Sequence, residues 1–187
     1  MSPSHTRTIM NRLIAFYLGS HPDDRGRMLA EILRQDDDWL ELTHDYIQWL
    51  FPLDVPSGVN PRAPLIDRAT ADAFKGDELL RRHLMASYQR FLGFLGLSRQ
   101  ADGTVLRSDR WESRKGEWFA APTHNSLRIT RVLKCMSLLG LADEAQAFER
   151  SLQTMCDTDP DAGVGELSRR HWREAVATPA RPGRPRR

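Results

Sequence analysis

Two stretches carry residues whose types and spacing suit chemistry. In "HNSLRITRVLKCM", His124 to Met136, a histidine and two arginines interrupt what is otherwise the pattern of a core helix. At 100° per residue, Ile129, Val132, Leu133 and Met136 form an apolar arc, and Leu127 and Leu138 lie on the opposite shoulder. His124, Arg128, Arg131 and Cys135 fall between those groups, with Ser126, Thr130, Lys134 and Ser137 expected on the solvent side. Arg128 and Arg131 should therefore be half-buried, and a buried ion pair that loses one partner costs about 3–5 kcal/mol, so each guanidinium calls for a partner. Two kinds fit. One is an internal acid (Asp36, Asp37, Asp38, Glu41 or Asp45) that locks helices together. The other is an external phosphate or carboxylate held by the arginine forks, with His124 and Asn125 at a helix start, where free N–H groups favour anions.

The second stretch is "HDYIQWLFP", His44 to Pro52. On a short helix His44, Asp45 and Gln48 share one side, Tyr46, Ile47, Leu50 and Phe51 the other, and Trp49 sits at the border. Asp45 and Gln48 have capping-box spacing, which suits a packed helix with a polar capping face. The same residues also suit a ligand wall in which Trp49 stacks and Asp45 or Gln48 orients the bound group. His44 and Asp45 are adjacent and so do not face each other on a helix, which makes them no catalytic pair. The chain contains no serine elbow, glycine-rich phosphate loop or metal triad, so no catalytic residue, metal or cofactor is expected.

The elements that must position these stretches are helical. "DELLRRHLMASYQRFLGFLG", from Asp77, places Leu80, Leu84, Tyr88, Phe91, Leu92 and Leu95 on one stripe and ends at Gly96. The helix through Asn125 ends the same way at Gly140, each glycine followed by a leucine, as in left-handed caps. Further helices are expected near 4–18, 24–34, 67–75, 142–155 and 165–176, with a broken helical segment over 36–52, and no strand pattern is evident. Two long connectors separate them. The first holds "PLDVPSGVNPRAP"; the second, about residues 98–122, carries Trp111 and Trp118, which should fold back onto the body. The expected fold is all-α, a compact single-domain multi-helix bundle of about six to eight helices over 1–176, with a flexible Pro/Arg-rich tail at 177–187.

A chain of 187 residues with 40% hydrophobic and 28% charged residues has the composition of an ordinary globular protein. Its net charge of +2 is uneven, because residues 166–187 hold seven arginines against two glutamates. That end suits weak nucleic-acid binding or plain solubility, while the acid excess elsewhere argues against a nucleic-acid adaptor. The longest apolar run near the start, "LIAFYLG", is too short for a transmembrane segment. Cys135 and Cys156 have neither disulfide-framework nor zinc spacing, which fits the cytoplasm.

"HDYIQWLFPL", then "GVNPRAP", then "HNSLRITRVLKCMSLLGL", with "FYLG" near the start, resembles the conserved region of the opioid growth factor receptor family over roughly residues 10–155. The resemblance implies an all-helical domain. In the vertebrate members it implies enkephalin-peptide binding without enzymatic activity and a nuclear or perinuclear, membrane-associated location, so peripheral membrane association is expected by analogy. The motif residues, and hence the expected ligand site, are His44, Asp45, Tyr46, Gln48, Trp49, Asn60, His124, Asn125, Arg128 and Arg131. The expected function is non-enzymatic binding of a peptide or small anionic ligand, in a pocket shared by the two stretches. The alternative is an enzyme acting on a phosphorylated or anionic substrate through His44 or His124 and the arginines.

Overall fold

Asn11 starts the first helix by turning its side-chain oxygen onto the free amides of Leu13 and Ile14. The structure is a computed structural model that describes residues 11–120 and 123–177. The start of the expected helix over 4–18 and nearly all of the expected tail lie outside those residues. Ten α-helices and a two-stranded hairpin are present among the described residues. The fold is thus mostly α, and the chain groups into two compact units, Met1–Leu84 and Met85–Arg187.

In the first unit, α1 (Arg12–Tyr17), α2 (Leu29–Leu33), α3 (Asp37–Leu42), α4 (Ile47–Leu50) and α5 (Arg68–Gly76) precede the start of α6 (Glu78–Phe94). Asn11 also donates from Nδ2 to Thr70 Oγ1 at 2.6 Å, tying α1 to α5. The core is aromatic: Phe16 meets Trp49 edge-on at 5.2 Å between ring centroids, and Tyr17 meets Phe74 at 4.9 Å. The Tyr17 hydroxyl donates to the Leu50 carbonyl at the end of α4. The helix expected over 24–34 forms only from Leu29, because the Asp23 carboxylate captures the amides of Arg25 and Arg27 at 2.8 and 2.9 Å. Those bonds stabilise a turn at the helix's expense.

The segment over 36–52 breaks as expected, into α3, capped by Asp36 on the Trp39 amide, and the single turn of α4. The capping box read from Asp45 and Gln48 does not form. Helix α4 starts after Tyr46 with no side-chain cap, since Asp45 turns its carboxylate onto Arg25 and Arg27 instead.

The second unit holds the rest of α6, β1 (Leu97–Arg99), β2 (Val105–Arg107), α7 (Trp111–Arg114) with a 3-10 turn after it, α8 (His124–Leu138), α9 (Ala142–Thr158) and α10 (Glu166–Val176). The strands are antiparallel, pairing Leu97 with Arg107, Ser98 with Leu106 and Arg99 with Val105. Three residues each are too few for period-two alternation to stand out, so this hairpin escaped the sequence reading. Gly96 and Gly140 do cap their helices, at φ +77 and +92. After Gly140, the Leu141 amide reaches back to the Met136 carbonyl at 2.9 Å.

The second connector folds back as expected, with Trp111 and Trp118 both buried. Trp118 donates from Nε1 to the Leu95 carbonyl at 2.9 Å and Arg114 from Nε to the Phe94 carbonyl at 2.8 Å, so the connector occupies carbonyls at the end of α6. Helix α8 departs from its expected orientation. Ser126, placed on the solvent side by the wheel, is buried, and Leu127 is 67% exposed instead. The cause is α10, whose fully buried Trp172 lies against α8 and donates from Nε1 to the Ser126 carbonyl at 3.1 Å.

Candidate functional site

Three of the residues singled out from the sequence converge in the first unit. Asp45, Trp49 and Asn60 line a cavity of about 330 Å³, together with Asp24, Arg25, Arg27, Val59, Pro61 and Arg62. Its charges are layered. Arg27 bridges Asp23 at 2.7 Å and Asp45 at 2.9 Å, and Arg25 adds a second contact to Asp45 at 2.9 Å. Burial pushes the Asp45 carboxyl up, but the hydrogen bonds and charges of Arg27 and Arg25 together outweigh it and hold the group below the usual carboxylate range.

Trp49 is placed by its own contacts. Its indole N–H donates to Asp24 Oδ2 at 3.2 Å, and Asp24 in turn pairs with Arg12 at 2.6 Å. The Arg12 guanidinium lies over the Trp49 ring at 5.2 Å, and the ring has no exposed surface. The stacking role expected for Trp49 is therefore not available here, because Arg12 already covers the ring; Trp49 positions Asp24. Asn60 belongs to a turn. Its amide donates to Ser57 Oγ at 3.2 Å, and its Oδ1 accepts from the Arg62 amide at 3.3 Å. That turn presents Arg62 to the cavity. The Arg62 guanidinium has no hydrogen bond or ion pair among the described residues.

The other members of this stretch do not line the cavity. His44 is exposed, Tyr46 is buried and donates from its hydroxyl to the Leu40 carbonyl at 3.2 Å, and Gln48 is buried. The Gln48 Oε1 finds no hydrogen-bond partner among the described residues. Sequence reasoning missed Asp24, Arg25, Arg27 and Arg62. For the first three the signal was the run "DDRGR", in which two adjacent acids precede two arginines that flank a glycine. Such a run is a turn by composition and an ion-pair network by charge.

In the second unit, α8 places the remaining four. His124 is exposed at the first helical position. Asn125 is fully buried, donates from Nδ2 to the Glu117 carbonyl at 3.1 Å and accepts from Arg128 Nη1 at 3.2 Å. The Arg128 guanidinium, also buried, lies 5.9 Å from the centre of the Phe94 ring. Arg131 is half-buried as expected, and desolvation lowers its pKa, with a small opposing effect from Cys135. The same burial pushes the Cys135 thiol up, so it is inert as a nucleophile. The start of α8 is partly self-satisfied, since Thr123 accepts the Asn125 amide on its hydroxyl at 3.2 Å and the Ser126 amide on its carbonyl at 3.1 Å.

Both stretches fall within a segment that is shared with known proteins. The chain belongs to the opioid growth factor receptor (OGFr) conserved-region family, whose model matches residues 8–155. It is 39% identical to the opioid growth factor receptor of Rattus norvegicus over 121 residues, which are 62% of this chain and 20% of that one. To the human receptor it is 41% identical over 108 residues, 56% of this chain and 15% of that one. To opioid growth factor receptor-like protein 1 of Mus musculus it is 38% identical over 120 residues, 62% and 25% of the two chains. The chain thus matches a quarter or less of each of these relatives. No solved structure matches.

Proposed function

We propose that this chain is a non-enzymatic binding module of the receptor family, and that the first unit's cavity takes a peptide or small molecule bearing one anionic group. The observation that carries this reading is the charge balance of the cavity. Asp24 is engaged by Arg12 and Trp49, and Asp45 by Arg25 and Arg27, which leaves the Arg62 guanidinium over. A carboxylate or phosphate is its natural complement, and the exposed Val59 and Pro61 beside it suit an apolar body. The matched relatives are named as receptors for an opioid growth factor, which supports a peptide-type partner. His44, Tyr46, Gln48 and the four residues of α8 belong to the proposal as supports of the two motif segments.

Nothing among the described residues favours the enzymatic alternative; neither cavity described in this structure has a histidine in its lining. No helix among the described residues is long and apolar enough to cross a membrane, and a cytoplasmic location with at most peripheral membrane contact forms part of the same proposal. The test is calorimetric titration of the whole chain with short peptides bearing free or amidated C-termini, and with inorganic phosphate. A peptide that binds should lose about tenfold or more in affinity on Arg62→Ala, the worth of one charge-assisted hydrogen bond. Unchanged affinity in that variant would remove the cavity from the function.

A further inference from the structure

The second unit contains a groove that none of the motif residues touches. The hairpin lies along α9: Arg99 pairs with Glu144 at 2.5 Å, the Val105 amide donates to Ser151 Oγ at 3.2 Å, and Arg107 pairs with Asp159 at 2.6 Å, just past the helix. Between strand and helix runs an open groove of about 600 Å³. One wall is β2 with the turn before it, where Thr104 and Asp102 lie and the Asp102 carboxylate accepts the Thr104 amide at 2.9 Å; the other is a single face of α9, including Ala147, Arg150, Ser151, Thr154, Met155 and Thr158.

The register decides what the strand wall offers. The Gln100 amide donates to the Thr104 carbonyl at 2.8 Å and the Ser108 amide to the Gly96 carbonyl at 2.9 Å. In an antiparallel ladder those two bonds make Ser98 and Leu106 the hydrogen-bonded pair between them, so Val105 and Arg107 aim their main-chain groups away from β1. The bond from Val105 to Ser151 confirms that this outward edge faces α9. Among the described residues, the Arg107 amide and the carbonyls of Val105 and Arg107 have no hydrogen-bond partner. An edge of that kind is a template for another extended chain.

The helix wall offers groups of both kinds. Ser151 accepts from Val105 and keeps its own O–H to donate. Thr154 and Thr158 donate to the carbonyls of Arg150 and Thr154, at 3.0 and 2.8 Å, and keep lone pairs to accept. Donors and acceptors side by side fit a polypeptide main chain, which carries both. They do not fit a bare phosphate, whose oxygens would face these carbonyl and hydroxyl lone pairs. Leu106, 50% exposed, and Met155 supply apolar contact. The charge is specific: Arg107 is held by Asp159 and lies 4.5 Å from the centre of the Trp111 ring, whereas the exposed Arg150 has no side-chain partner among the described residues.

We propose that this groove binds an extended segment of a partner polypeptide. The segment pairs its main chain with β2 at Arg107, lays an apolar side chain against Leu106 and Met155, and places a carboxylate on Arg150. Ser151 closes the edge at Val105, so main-chain pairing is confined to the Arg107 end and the side chains carry the selectivity. The inference stands apart from the cavity of the first unit.

A displayed library of random heptapeptides, selected on the whole chain and in parallel on Arg150→Glu and Arg62→Ala, tests it. The parent should enrich an acidic residue beside an apolar one, Arg150→Glu should replace the acid with a base, and Arg62→Ala should select as the parent does. For the best synthetic peptide, Arg150→Ala should weaken binding about tenfold or more. N-methylation of the single peptide amide that meets the Arg107 carbonyl should do the same, while its neighbours tolerate it; this measurement needs no protein variant. The inference is overturned by the absence of a consensus on the parent, or by a consensus indifferent to Arg150→Glu. Uniform tolerance of N-methylation with full displacement by inorganic phosphate also overturns it, since the groove would then hold an anion only. Loss of selection on Arg62→Ala alone would assign the peptide to the first cavity and overturn this one.

Discussion

Asp45 shows how one carboxylate decides between local structure and a site. Placed to cap α4, it bonds to Arg25 and Arg27 instead and so joins the turn after α1 to the segment before α4. Because its folded pKa lies below the ordinary value, its contribution is present above the unfolded pKa and is lost as pH falls through the folded one. Asp45→Asn should therefore lower stability at pH 7 by about 1 kcal/mol or less, given solvent screening at a partly exposed group. Once the pH falls below the folded pKa, where the parent's own carboxylate is protonated, the difference should vanish. Thermal melts of parent and variant from pH 7 downward measure it, and a gap that does not narrow as the pH falls would mean that Asp45 acts through packing. The arginines of this network were hard to read in the sequence because they come from a turn and a loop distant from Asp45, and helical periodicity carries no information about such meetings. Arg128 and Arg131 were legible as buried cations because they sit within a single helix whose wheel can be drawn.

At the scale of elements, the helix ends were more legible than the helix faces. A left-handed cap needs one glycine and one following apolar residue, and both are visible locally at Gly96 and Gly140. Gly96 is doubly constrained: its φ is +77, and a Cβ there would sit 3.0 Å from both Arg114 Cβ and the Trp111 Cα. Gly96→Ala should thus cost about 2–4 kcal/mol, from the left-handed penalty plus displacement of α7. Denaturant melts give the cost, and near-ultraviolet dichroism should report disturbed packing of Trp111 and Trp118. A loss below about 0.5 kcal/mol, within the range of an ordinary surface change, would show that α7 is not pinned against this turn. The faces were less legible because a wheel assigns burial relative to one neighbour. Helix α8 has a second, α10, a polar, arginine-rich helix whose Trp172 indole reverses the environment of Ser126.

At the scale of the whole molecule, the family match and the folded unit do not end together. The match stops at residue 155, but α9 continues to Thr158, the Gly163 amide donates to the Phe119 carbonyl at 2.8 Å, and α10 buries Trp172 beyond that. The second unit is therefore completed by residues outside the shared segment. A chain ending at Gly165 keeps every motif residue and the Gly163 bond but loses α10, exposing the face of α8 around Ser126. Removing a buried tryptophan side chain costs about 3–5 kcal/mol, and in a protein of this size each kcal/mol moves Tm by about 2–4 °C, so the shortened chain should melt roughly 10 °C lower. Trp172→Ala in the full chain should account for most of that fall. Trp172→Phe, which keeps one aromatic ring but gives up the volume of the second and the hydrogen bond to the Ser126 carbonyl, should account for a smaller part, about 1–3 kcal/mol. If the chain ending at Gly165 melts with the parent, α10 is an accessory, and the face of α8 it covers is stable in water without it.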